Sequence, residues 1–160
     1  MLKRKEALQG LFFEKNVPEG YTKPPMNDAE RYAQGVAFWT VNAIRSECGV
    51  GSLYQHEEIG EHAAGLSRHI LKIRHCVHSC PSQRPGQVEN VAHRWDYADL
   101  DRLVGDMIRD WFRSDDHCMN LLRSDLTHMG IGVSIEAYQK WSREHFRLAL
   151  TYRALRLHAS

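Results

Sequence analysis

The spacing of apolar residues changes along this chain, and that change most restricts how the chain can fold. In four segments between Asn27 and Leu122, apolar residues recur every three or four positions, as on one face of an α-helix. From Met129 to Tyr138 and again from His145 to Leu155, apolar and polar residues alternate, as in a half-buried β-strand. Segments of both kinds in one chain predict an α+β domain.

Residues that begin or end helices divide the chain into seven elements. Asn27 and Asp28 are favourable N-cap residues for the first helix, and Ser114 is one for the fourth. A short segment with β-branched residues after Gly86 predicts a strand. The predicted helices are 27–46, 56–73, 96–111 (beginning at Asp96 or Asp99) and 114–122, and the predicted strands are 87–93, 129–138 and 145–155. We expect the last two strands to form an antiparallel hairpin and the helices to cover a small antiparallel sheet.

The first 26 residues differ in composition from the rest. A short amphipathic arm at 1–15 is followed by Pro18, Gly20, Pro24 and Pro25, which prevent a continuous helix and predict a connector. The remaining residues have an ordinary length for one domain with one hydrophobic core. We therefore expect an N-terminal arm and connector at 1–26 and a single domain at 27–160.

Charge and composition argue against several classes of protein. The chain has 21 Lys and Arg against 20 Asp and Glu, so its formal net charge of +1 gives no overall attraction to nucleic acid. No apolar segment approaches the roughly 18 residues of a transmembrane helix. The apolar cluster Leu11–Phe13 is too short for the core of a signal peptide. We therefore expect a cytoplasmic protein, or a secreted one if a leader precedes residue 1.

The cysteines are even in number but sparse. A disulfide framework is therefore possible but not required, and a Cys76–Cys80 bridge would close a geometrically demanding loop. We expect reduced thiols at all four positions, which are Cys48, Cys76, Cys80 and Cys118.

Two polar clusters stand out among the predicted elements. The first lies in the turn-rich segment His75–Asn90 (HCVHSCPSQRPGQVEN), and the second spans Trp111–Leu122 (WFRSDDHCMNLL). Together they contain three histidines, three of the four cysteines and a Glu-Asn pair. A fold that brings a loop and a helix end together in this way forms a cleft. We expect the functional site in that cleft.

The same segments resemble motifs of a known family. Val41–Leu53 (VNAIRSECGVGSL) resembles the opening box of the CAP superfamily, and Glu89 with Asn90 resembles its Gly-Glu-Asn motif, although Val88 replaces the glycine. The second polar cluster resembles the Trp-Ser-His-Asn box of bacterial and archaeal members, and the later MGIGVS is similar to the family's Gly-Val-Gly strand. The chain thus resembles the cysteine-rich secretory proteins, antigen 5 and pathogenesis-related proteins over about residues 27–155.

This resemblance implies both a fold and a site. The family fold is a three-layer α-β-α sandwich with a central antiparallel sheet, which agrees with the predicted order of elements. The family's cleft contains two histidines and two acidic residues, and three of these positions fall on His78, Glu89 and His117. The fourth position, often acidic in the family, falls on Ser114, which is a departure from the family pattern. Asp115 or Asp116 could reach the site in place of the missing acid.

Such a set of side chains suits a divalent metal. Two neutral imidazoles and a carboxylate are ligands that zinc prefers, with water completing the coordination shell. Water on the metal would allow a metal-dependent hydrolase. The same groups could instead form a hydrogen-bonded network that carries out no reaction. We favour a network or a regulatory metal site, because fold and site composition do not establish a reaction.

Two other arrangements are less favoured. Ser114 or Cys118 beside His117, oriented by Glu89, would resemble a nucleophile, histidine and acid arrangement. However, Ser114 is already explained as an N-cap, and Cys118 points about 100° away from His117 around the helix. A structural zinc cluster centred on the first polar cluster lacks the usual second pair of ligands. Its members would be His75, Cys76, His78 and Cys80, with Cys118 as a further candidate.

Two functions from different classes follow. The first is a CAP-like domain whose cleft binds a divalent metal, a small ligand such as a lipid, or a protein partner; the resemblance implies sterol or lipid binding for some members. The second is a metal-dependent, peptidase-like hydrolase, for which the candidate catalytic residues are His78, Glu89, His117 and Ser114.

Basic residues cluster near the end of the chain and could form one positive face. Without accompanying aromatic residues or a groove, such a face is expected to be solvated, and no nucleic-acid partner is predicted. The residues concerned are Arg143, Arg147, Arg153 and Arg156.

Overall fold

A computed structural model describes residues 26–79 and 83–158, and these residues form an α+β fold. The described elements, in order, are α1 (Asp28–Glu47), β1 (Tyr54–Gln55), α2 (Glu57–Ile73), β2 (Gln83–Arg84), β3 (Gln87–Tyr97), α3 (Leu100–Arg113), α4 (Asp115–Leu122), β4 (His128–Lys140) and β5 (Arg143–Leu155). The predicted fold class is confirmed, and each of the seven predicted elements is present. The predicted arm and nearly all of the predicted connector lie outside the described residues.

The sheet is mixed rather than wholly antiparallel. Its strand order is β1-β4-β5-β3-β2, and the three long strands β4, β5 and β3 are antiparallel neighbours. Strand β1, however, runs parallel to β4, where the Tyr54 amide donates to the Thr127 carbonyl and the His56 amide to that of Met129. The prediction of an antiparallel sheet is therefore wrong at this edge. A two-residue strand is too short to show an alternating pattern.

Apolar side chains pack on both faces of the sheet. Because successive side chains of a strand point to opposite faces, β5 sends Leu150 to one face and Ala149 to the other. Helices α1, α3 and α4 cover the first face, where buried residues include Val41, Met107, Leu121, Ile131, Val133 and Leu150. Helix α2 covers the second face with Leu66, Ile70 and Leu71, which pack against Val91 and Ala149. The predicted three-layer α-β-α sandwich is confirmed.

Two glycines of β4 allow α2 to lie directly on the sheet. A Cβ atom at Gly132 would lie 2.0 Å from the backbone carbon of Ala63, and one at Gly130 would lie 2.2 Å from the amide nitrogen of Gly60. The Ser67 hydroxyl of α2 is 2.9 Å from the carbonyl oxygen of Gly132. Backbone contact and a hydrogen bond therefore hold α2 at a short distance from β4.

Substitution of Gly132 tests this contact. We expect Gly132→Ala to lower the free energy of unfolding by about 3 kcal/mol, because the added methyl group overlaps the α2 backbone and displaces the helix. Urea unfolding followed by circular dichroism measures the loss.

Gly105→Ala is the matched control. A Cβ at this α3 position would have no atom within 4 Å, so the helix should gain about 0.5–1 kcal/mol from replacing glycine. Equal stabilities of the two variants would show that α2 does not pack on β4 as described.

Candidate functional site

A buried carboxylate on β3 orients the first imidazole of the site. Glu89 is fully buried, whereas the side chain of His78, which follows α2, is 35% exposed. The Nδ1 atom of His78 lies 2.8 Å from Oε1 of Glu89. Because an ionised carboxylate only accepts hydrogen bonds, Nδ1 carries a proton, and in the neutral ring the lone pair is on Nε2. The strand thus fixes both the orientation and the tautomer of His78.

Three further hydrogen bonds reach the Glu89 carboxylate. Arg153 donates from Nε to Oε2 at 2.6 Å, and it is fully buried on β5 directly opposite Glu89. Ser79 donates its hydroxyl to Oε2 at 2.7 Å and its amide to Oε1 at 3.1 Å. Together with His78, four donors therefore surround the two carboxylate oxygens.

These donors determine the ionisation of Glu89. Burial alone would raise its pKa, but the hydrogen bond from His78, the charge of Arg153 and the hydrogen bonds from Ser79 and Arg153 outweigh burial. The net effect lowers the pKa of Glu89 below its usual value. The carboxylate therefore remains ionised at neutral pH and is a weak base.

The next residue on β3 links the strand to helix α4. Asn90 points to the opposite face from Glu89, and its amide donates from Nδ2 to the carbonyl oxygen of His117 at 3.0 Å. Asn120, one turn further along α4, donates from Nδ2 to Oδ1 of Asn90 at 2.8 Å. The Glu-Asn pair thus acts on both sides of one strand, with Glu89 holding His78 and Asn90 holding the helix that carries His117.

The second imidazole is held by a serine. Nδ1 of His117 lies 2.9 Å from the Ser114 hydroxyl oxygen, whereas the Ser114 side chain makes no capping hydrogen bond to α4. Ser114 occupies the predicted N-cap position, but its predicted capping role is wrong. Burial lowers the pKa of His117, an electrostatic contribution from His78 adds to this shift, and Asp116 opposes it. His117 is therefore mainly neutral at pH 7.

The four candidate residues form two pairs rather than one cluster. Glu89 contacts His78 and Ser114 contacts His117, so Glu89 does not orient a Ser114 nucleophile through His117. No group of three His, Cys, Asp or Glu side chains that could hold a metal occurs in residues 26–79 and 83–158. Zinc ligation by Glu89 has no support in this geometry, because its oxygens face Ser79 and Arg153.

The less favoured zinc cluster of the first polar segment has no support either. His75 and Cys76 are both exposed in the described part of the chain. Although the Cys76 side chain is exposed, neighbouring atoms partly desolvate its thiol and raise its pKa, which disfavours the thiolate that binds zinc. Its fourth proposed member, Cys80, lies outside the described residues.

Sequence reasoning missed two residues of the site. Ser79 was not considered, and Arg153 was assigned to a positive surface face, although it is fully buried. A signal for Arg153 existed in the predicted three-layer sandwich, because helices on both sides of the sheet also cover the face of strand 145–155 on which Arg153 lies. A cation in such a position requires a buried anion, and Glu89 was already a candidate residue of the site.

Comparison with known proteins identifies the family. The sequence model of the cysteine-rich secretory protein family, CAP, matches residues 39–146, a range that includes both histidines and Glu89. The chain belongs to the CAP family. The resemblance found in the sequence motifs is thereby confirmed, although no relative matches among curated proteins.

Solved structures show the same fold at low sequence identity. An extracellular protein with an SCP domain from Bacillus anthracis str. Ames has a TM-score of 0.58 and 18% identity, covering 84% of this chain and 45% of its own. An outer surface protein from Borrelia burgdorferi has a TM-score of 0.51 and 11% identity, covering 82% and 98%. The CAP domain described here thus corresponds to less than half of the Bacillus protein.

The location expected from the sequence is not supported by these structures. One similar protein is described as extracellular and the other as an outer surface protein, so neither favours a cytoplasmic location. Within the part of the chain that the structure describes, no helix has the length and apolar character needed to span a membrane.

The ionisation of Glu89 predicts how stability depends on pH. Its pKa is lower in the folded domain than the unfolded value near 4.5, so the ionised carboxylate stabilises the fold above pH 4.5. This contribution is lost as the pH falls through the folded pKa. Urea unfolding between pH 7 and pH 3 should therefore show a loss of stability below about pH 4.5.

Glu89→Gln isolates this contribution. The substitution leaves Arg153 buried opposite a neutral amide, and we expect it to lower the free energy of unfolding at pH 7 by about 3–5 kcal/mol. The control is Glu136→Gln, which removes the exposed partner of Arg147 and should cost less than about 1 kcal/mol. Similar losses in both variants would contradict a special role for the buried pair.

Proposed function

We propose that this CAP domain acts by binding rather than by catalysis, and that the cleft at His78 and His117 is its binding site. One observation carries the proposal: the buried carboxylate of Glu89 accepts four hydrogen bonds from described residues and holds the His78 imidazole in place. The carboxylate is therefore a positioning group. The groups that remain to meet a ligand are the imidazoles.

The chemistry of Glu89 argues against the hydrolase alternative. A general base is most effective when its pKa lies near the working pH, whereas the pKa of Glu89 is lowered by its partners. A serine nucleophile needs a histidine that is oriented by an acid, but Glu89 contacts His78 and not His117, the partner of Ser114. Neither route to hydrolysis has its required base.

A divalent cation such as zinc is the ligand class that the two imidazoles fit best. A carboxylate that accepts from Nδ1 of a histidine, as Glu89 does for His78, is the usual outer partner of a metal-binding imidazole. His117 is neutral at pH 7 because its pKa is lowered, so protons compete little with a metal there. His78 and His117 would be the ligands, with Glu89 in the outer shell and water at the other positions.

Two protein ligands leave coordination positions for a partner. Structural zinc sites use four protein ligands and catalytic sites use three, so a site with two imidazoles binds metal more weakly and remains open. A carboxylate or imidazole of a protein partner could complete it. We therefore propose a metal-dependent interaction domain, and the extracellular and surface location of the two similar proteins favours a partner outside the cytoplasm.

Zinc titration tests the two ligands. We expect His78→Ala and His117→Ala each to lower zinc affinity by about tenfold or more, measured by isothermal titration calorimetry at pH 7.5. His158→Ala is the control, since His158 is exposed beyond β5 and outside the cleft. Equal zinc affinity in the wild type and in a variant that lacks both cleft histidines would overturn the proposal.

Ser114→Ala tests the positioning of His117. The substitution removes the hydroxyl beside Nδ1 but leaves both proposed ligands, so zinc affinity should fall by about tenfold while unfolding stability changes little. A zinc affinity in Ser114→Ala equal to that of the wild type would show that the Ser114 hydroxyl does not position His117.

A further inference from the structure

The tip of the β4–β5 hairpin has a turn sequence that does not suit its backbone. Trp141 and Ser142 form the two-residue loop between the strands, and both have positive φ angles, of 51° and 62°. Such turns strongly prefer Asn-Gly or Asp-Gly, because bulky side chains are strained in this region. Trp141 is also 84% exposed, so packing within the domain does not explain the tryptophan.

The hairpin below the tip is well paired. Glu136 lies opposite Arg147, and their side chains form an ion pair at 3.3 Å. Tyr138 lies opposite His145 with ring centroids 5.9 Å apart, and the Arg147 guanidinium is 5.6 Å from the Tyr138 ring centre. Opposite charges and ring contacts of this kind stabilise an antiparallel pair. The tip is therefore presented on an ordered arm.

The last pair before the turn breaks this pattern. Lys140 lies directly opposite Arg143, and like charges in this position destabilise a strand pair. The Lys140 ammonium lies 4.5 Å from the centre of the Trp141 ring. The tip thus combines an exposed indole with two cations, while Glu144 is its one carboxylate within residues 139–144.

We propose that this hairpin tip, residues 139–144, docks on an anionic lipid bilayer. Tryptophan is favoured at the level of lipid headgroups, because its ring is apolar and its N–H can bond to water or headgroup oxygens. Lysine and arginine at that level are attracted by acidic headgroups. Trp141 inserts into the headgroup layer, and Lys140 and Arg143 contact the acidic lipids beside it.

Other polyanions and proteins fit the tip less well. A single-stranded nucleic acid needs successive aromatic rings on which bases stack, but the next rings, of Tyr138 and His145, pack against each other. A stable protein interface covers about 800 Å² on each partner, more than a two-residue turn and its flanking pair present. A bilayer requires only a protruding apolar group with cations around it. Because the net charge of the chain is only +1, the attraction is local to this tip.

The experiment is co-sedimentation with phosphatidylcholine vesicles, with and without phosphatidylglycerol, at low salt. We expect the wild-type chain to bind only the vesicles that contain phosphatidylglycerol. The double substitution Trp141→Asn/Ser142→Gly supplies the preferred turn residues, so it should keep or raise the unfolding midpoint while lowering vesicle binding by about tenfold or more. A loss of binding in this variant cannot be attributed to misfolding.

Two further variants complete the test. Lys140→Glu/Arg143→Glu should abolish the preference for phosphatidylglycerol, whereas Trp39→Asn, which removes another exposed tryptophan on α1, should leave binding unchanged. The proposal is overturned if the turn variant binds vesicles like the wild type, if neutral vesicles bind equally well, or if the tip binds a single-stranded oligonucleotide instead. Zinc titration of the turn variant should match the wild type, so this result is separate from that of the cleft.

Discussion

The ion pair between Glu89 and Arg153 is the interaction on which the rest of the site depends. Both side chains are fully buried, and they lie directly opposite each other on β3 and β5. A buried ion pair adds little net stability, because removing two charges from water costs nearly as much as their attraction returns. Breaking the pair is nevertheless costly, since one charge would then be buried alone. Arrangements of the two strands that separate Glu89 from Arg153 are therefore disfavoured.

The buried pair acts on the register of β3 against β5. A shift of one residue would turn Glu89 to the other face of β3 and place Asn90 opposite Arg153. In the correct register Glu89 holds His78 on the side of α2, and Asn90 holds the backbone of His117 on the side of α4. The sheet thereby sets the relative positions of the two imidazoles.

The parts of this structure that could be predicted from sequence are those with a local cause. The helices and the hairpin follow from apolar spacing and from capping residues such as Asn27, which forms a reciprocal capping box with Glu30. The histidines and Glu89 were found by family motifs. Strand β1 was missed because two residues carry no period, and the ion pair of Glu89 was missed because its partner, Arg153, lies 64 residues further along the chain. Ser114 was misassigned because a serine before a helix is usually a cap, and the sequence alone does not show its contact with His117.

Two groups of residues in this domain are unusual for their positions: the buried charges of the sheet and the residues of the hairpin tip. They differ in whether contacts within the domain explain them. Glu89 and Arg153 are charges in a buried part of the sheet, but each compensates the other, so the domain itself explains both. At the hairpin tip Trp141 has a positive φ angle although its ring is exposed, and Lys140 lies opposite the like charge of Arg143. Natural sequences retain unfavourable local choices where function requires them. The positive φ of the exposed Trp141 is therefore better explained by selection for a partner outside the domain than by selection for stability.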